Sequence, residues 1–124
     1  MRRILVVDGH PDSREALVTL CRVLGYAVEE AMSAIDALAK FGTFRPDVVV
    51  LDLPETGACD VARYIREDGD ETTFLVALSA SRSESERRRA FVAGCDAVML
   101  KPGQLTQFYR LLADEKSQQR RPIR

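Results

Sequence analysis

The sequence predicts an α/β fold, a doubly wound five-stranded parallel sheet of (βα)5 type, and three observations lead there. Short apolar runs alternate with helix-patterned segments five times along the chain. The runs are rich in β-branched residues and lack polar alternation, as strands buried on both faces do. Helical segments stand between successive strands, so the connections are crossovers, and helices must cover both faces of the sheet.

The first run is Ile4 to Val7. Asp12 and Glu15 have the spacing of a capping box, with Asp12 as N-cap of the first helix. Leu17, Leu20, Cys21 and Leu24 then follow at i, i+3, i+4, i+7, and Gly25 is placed to end that helix. Tyr26 to Ala31 is a weaker strand, and Glu29 and Glu30 mark it as an edge. Ser33 caps a second helix carrying Ile35, Leu38 and Ala39, with Gly42 at its end. Val48 to Leu51 is the most strand-like segment and stops at Asp52. Pro54 to Gly57 reads as a loop, and Val61, Ala62, Tyr64 and Ile65 as a short third helix. Phe74 to Leu78 is a fourth strand ending at Ser79. Ser83 and Glu86 form a second capping box, on a helix that stops at Gly94. Ala97 to Leu100 is the fifth strand, and Leu105, Phe108, Tyr109 and Leu112 mark the last helix. The expected strand order is the flavodoxin-like 2-1-3-4-5. Residues 1–113 make one domain, and 114–124, polar and unpatterned, a tail or linker.

Composition narrows the function. The chain has 124 residues, 46% hydrophobic and 30% charged, with a net charge of -1. No field of one sign advertises nucleic acid or an anionic membrane. Arg87, Arg88 and Arg89 read as the solvated side of a capped helix. Every apolar run is far shorter than the roughly 20 residues that span a bilayer. The run after Met1-Arg2-Arg3 is cut by Asp8, too early for a signal-peptide core. Three widely spaced cysteines, without a CxxC pair, and one histidine argue for reduced thiols in a cytoplasmic domain.

Asp8, Asp52, Ser79 and Lys101 each stand just past the carboxyl end of a predicted strand. In an open parallel sheet these ends meet at one crevice, the usual ligand site. Two carboxylates, a hydroxyl and an ammonium gathered there suit phosphoryl transfer, with a carboxylate as nucleophile and a cation to neutralise charge.

From about residue 3 to 113 the chain resembles the response regulator receiver domains of bacterial two-component systems. The resemblance rests on ILVVD at 4–8, REAL at 14–17, PDVVVLDL at 46–53, ALSA at 77–80, AG at 93–94 and MLKP at 99–102. It implies a signalling module, not an enzyme. Asp52 would accept a phosphoryl group from a histidine kinase or phosphotransfer protein. Asp8 would belong to the acidic pair that holds Mg2+, Ser79 would turn its hydroxyl to the phosphoryl group, and Lys101 would pair with it. The metal ligands would be Asp8, Asp52 and the backbone carbonyl of Pro54. The fourth helix, fifth strand and fifth helix would face an output domain or partner, with no direct contact to nucleic acid or membrane.

The chain departs from that family in three places. Gly9 stands where the second acidic residue is expected, either to ease a tight turn or at the expense of magnesium affinity. The loop after Asp52 is two residues short. Val98 replaces a ring expected to swing inward on activation. A slow phosphoreceiver and a pseudo-receiver that only docks proteins both remain open. A haloacid-dehalogenase-like phosphatase needs a second Asp where Pro54 stands, and a flavodoxin-like electron carrier needs a phosphate-binding loop after the first strand.

Overall fold

The computed structural model describes residues 2–80, 83–100 and 110–112, with the side chains of residues 55 and 56 excepted. Among these residues β1 (Arg3–Asp8), α1 (Pro11–Val23), β2 (Ala27–Ala31), α2 (Ala34–Phe44), β3 (Val48–Asp52), α3 (Glu55–Glu67), β4 (Phe74–Ser79), α4 (Glu84–Ala93) and β5 (Ala97–Leu100) alternate. The five strands pair in parallel, in the order β2-β1-β3-β4-β5. This is the predicted doubly wound sheet.

Strand alternation sorts the core into two layers. Leu5, Val7, Val49, Leu51, Leu75 and Ala77 pack with α2, α3 and α4 on one face. Ile4, Val6, Val48, Val50, Val76 and Met99 pack with Val18 and Cys21 of α1 and with Leu112 on the other. Residues 110–112 are helical, and the Tyr26 hydroxyl donates to the Leu112 carbonyl at 3.3 Å. The remainder of the predicted last helix, with Leu105, Phe108 and Tyr109, and the tail at 114–124 lie outside the described residues.

Three local expectations are corrected. Helix α1 starts at Pro11 with His10 as its extended N-cap, so Asp12 is one turn position inside the helix and caps nothing. Proline at the first helical position fixes that start, because its missing N–H would have had no partner there anyway. Helix α2 runs past Gly42 to Phe44, and its end is set by Arg45 at φ 54°, in front of Pro46. A residue before proline is disfavoured in the helical region, and that stop outweighs a tolerated glycine. Helix α3 begins at Glu55, so Pro54 to Gly57 is not a loop and the helix is not short. Its buried stripe is Ala58, Val61, Ala62 and Ile65, which starts one turn earlier than Val61. The Ser33 and Ser83 caps form as expected, accepting from the N–H groups of Asp36 and Glu86.

Candidate functional site

The carboxyl ends of β1, β3 and β4 open into a cleft of about 850 Å3. Asp8 and Asp52 are partners in register on the neighbouring strands β1 and β3. Both line the cleft, with Gly9, Pro54 and Ser79. Ser79 is in register with Leu100, the last residue of β5. Four of the sequence-derived site residues, Asp8, Asp52, Pro54 and Ser79, therefore share one crevice. Lys101, the fifth, lies outside the described residues.

Asp8 is only 2% exposed, so its carboxylate needs partners in the protein. Its Oδ1 accepts the His10 N–H at 2.8 Å, and its Oδ2 accepts the Ser13 hydroxyl. Its backbone carbonyl accepts from Arg14 Nη1 at 2.9 Å, and Arg14 Nε is paired with Glu30 at 2.9 Å. The start of α1 thus fixes Asp8 in place. Sequence reading missed Ser13 and Arg14, and the signal that could have found them is their position in the first turn after the strand.

Gly9 needs no special backbone conformation: it is absent from the glycines with positive φ, Gly25, Gly69 and Gly94. A Cβ there would meet only the Met32 carbonyl, at 3.4 Å, an ordinary contact. The tight-turn reading of Gly9 therefore has no support in its backbone or its surroundings. Among the described residues no group of three His, Cys, Asp or Glu side chains is arranged to hold a metal. Asp8 and Asp52 fit a magnesium ion that keeps several waters, because Mg2+ is commonly held by one or two carboxylates plus water and phosphate oxygens.

The far wall of the cleft comes from α4 and β5. Val98 is half-buried and packs against the core layer that contains α3 and α4. Arg87, Arg88 and Arg89 are exposed, as the sequence reading expects, and Arg87 has contacts as well. It lines the cleft, donates to the Val98 carbonyl at 3.1 Å and lies over the Phe91 ring. The three cysteines are buried thiols outside any disulfide, and burial pushes the Cys21 and Cys95 thiols up to about 12. Among the described residues no helix is long and apolar enough to cross a membrane.

Comparison with known proteins agrees with this geometry. The family model for the response regulator receiver domain matches residues 4–113. The response regulator MprA of Mycobacterium sp. (strain KMS) is 41% identical over 102 residues, which are 81% of this chain and 44% of that protein. MprA of Mycobacterium bovis is 40% identical over the same length. The chain thus spans less than half of the curated relatives it matches. Among solved structures, a response regulator receiver domain from Bermanella marisrubri superposes with a TM-score of 0.80 at 27% identity, covering 90% of this chain and 95% of that one. The response regulator TrrA of Thermotoga maritima, solved in complex with Mg2+ and BeF, gives 0.77 at 28% identity, covering 92% and 98%. With fold, cleft and sequence in agreement, this chain belongs to the response regulator receiver domains of two-component signalling.

Proposed function

We propose that Asp52 accepts a phosphoryl group from a histidine kinase or phosphotransfer protein in the cytoplasm, and that the resulting change is passed to an output domain or partner. The observation that carries this reading is the position of Asp52. It ends the central strand β3, in register with the buried Asp8, in an open cleft it shares with Ser79.

One carboxylate oxygen of Asp52 bonds to phosphorus as the donor's P–N or P–O bond breaks, and the bonding electron pair leaves with the donor. Such transfer depends mainly on positioning and charge neutralisation. Mg2+ would supply that neutralisation and would be held by Asp8, Asp52 and the second lone pair of the Pro54 carbonyl, which already accepts the Ala58 N–H at 3.1 Å, with water where Gly9 offers no oxygen. The Ser79 hydroxyl donates to the new phosphoryl oxygens, and Lys101 pairs with them as the family resemblance implies. No ring at position 98 is available to report the event. The signal instead passes from Ser79 through residues 80–85 to α4, which Arg87 tethers to β5. The outer face of α4, β5 and the last helix meets the partner.

The test is intact-mass analysis after incubation with acetyl phosphate and Mg2+. Wild type gains one phosphoryl group, and Asp52→Asn gains none. A wild type that stays unmodified overturns the phosphoacceptor reading and leaves a domain that docks partners by its fold alone.

A further inference from the structure

Ser13 has two acceptors within reach and one proton to give. Its hydroxyl lies 3.3 Å from the His10 carbonyl, the usual local acceptor for a serine in a helix, and bonds Oδ2 of Asp8. The Asp8 oxygen is the nearer of the two acceptors, so the hydroxyl donates to Asp8. The His10 N–H holds the other oxygen at 2.8 Å. A carboxylate has about four lone-pair sites, so these two bonds orient Asp8 and leave lone pairs for water or a cation.

We infer that Ser13 is a positioning residue for the cation site, holding the one carboxylate that the acidic pair retains. This rests on the reading of Asp52 as a metal-assisted phosphoacceptor. Gly9 makes the role matter: with no carboxylate at position 9, an Asp8 that loses its orientation leaves Asp52 as the one oriented carboxylate at the ends of β1 and β3 among the described residues. Hydrogen-bond partners behind metal-binding carboxylates commonly change affinity about 10–100-fold when removed.

The experiment is Mn2+ binding to the full chain, followed by electron paramagnetic resonance, with urea unfolding of each variant alongside. Ser13→Ala weakens binding about 10-fold. Ser13→Thr, which keeps the hydroxyl, binds as wild type does, and Ser13→Cys, a weak donor of similar size, follows Ser13→Ala. In a Gly9→Asp background the effect of Ser13→Ala shrinks to about threefold or less, because the two changes act on one shared ion and are not additive. If wild type binds Mn2+ and Ser13→Ala and Ser13→Cys bind it equally well, Ser13 serves only the helix start and the inference fails. If neither wild type nor Gly9→Asp binds the ion, it is the metal-assisted reading beneath it that fails.

Discussion

The two ends of the sheet use the same residue types for opposite purposes. At the amino ends of β4 and β5, Asp96 Oδ2 accepts from Arg66 Nη2 at 2.9 Å and from the Leu75 N–H at 2.8 Å. Arg66 also donates to the carbonyls of Gly94 and Asp70, at 3.1 and 3.3 Å. Asp70 in turn takes the N–H groups of Thr72 and Thr73. Each of these charges is spent on the chain's own backbone, tying α3, β4, α4 and β5 together. At the carboxyl ends, Asp8 is just as firmly held, yet it faces a cleft of about 850 Å3 alongside Asp52 and Ser79. A carboxylate surrounded by backbone donors is a staple, and one anchored from behind with an open front is a site.

That contrast predicts which changes damage the fold and which damage only the chemistry. The largest expected effect is at the basal end. Arg66 and Asp96 have side-chain exposures of 14% and 15%, so Arg66→Ala takes the guanidinium from a mostly buried carboxylate and leaves it the Leu75 N–H. Breaking such a pair costs about 3 kcal/mol, to be read from urea unfolding. Acetyl-phosphate labelling of the molecules that remain folded stays at the wild-type rate. Equal loss of labelling and stability would erase the distinction between the ends.

Gly94→Ala comes next. Gly94 has φ +123°, and an added Cβ would lie 2.5 Å from Arg66 Cγ, whose guanidinium is already bound to its neighbours. Backbone strain of that kind costs about 2 kcal/mol. A variant as stable as wild type would show that Arg66 moves freely and that the basal network is not rigid.

A smaller effect sharpens the contrast from the other side. Beryllofluoride at Asp52 is expected to raise amide protection across α4 and β5, without changing protection at Asp70 to Thr73. Unchanged protection in α4 and β5 when the mimic is bound would remove this edge as the route of the signal.

The smallest is chemical. Burial pushes the Cys95 thiol up to about 12, so at neutral pH it stays protonated and resists alkylation in the folded chain. Arg66→Ala speeds Cys95 modification by raising the opened population. A Cys95 that reacts at once in folded wild type would contradict its burial.

Much of this was legible in the sequence, because long apolar strands and their terminal polar residues carry a strong pattern. Ile4 to Val7 and Val48 to Leu51 lie where their β-branched runs place them, with Asp8 and Asp52 at their ends. The helix starts were less legible. Asp12 matches a capping box by spacing, but Pro11 next to it fixes the register by its ring geometry, and the local pattern cannot rank the two. The bond from Ser13 to Asp8 joins residues five apart across a strand-to-helix turn, so only the folded turn reveals it. The meaning of Gly9 needed the structure as well. Its φ, which is not positive, and the single 3.4 Å contact that a Cβ would make there separate a missing ligand from a conformational need.

The carboxyl end of the sheet is, on the function proposed above, a phosphoacceptor site short of one carboxylate. The measurement that tests it most directly is a Mg2+ titration of wild type and Gly9→Asp, followed by acetyl-phosphate labelling of each. A Cβ at position 9 meets only the Met32 carbonyl at 3.4 Å, so the backbone there admits a side chain. It is expected to bind Mg2+ about 10-fold more tightly, near 1.4 kcal/mol, and to label Asp52 faster. Wild type binding Mg2+ as tightly as the variant, and labelling as fast, would contradict the claim and show that water at Gly9 serves the site fully.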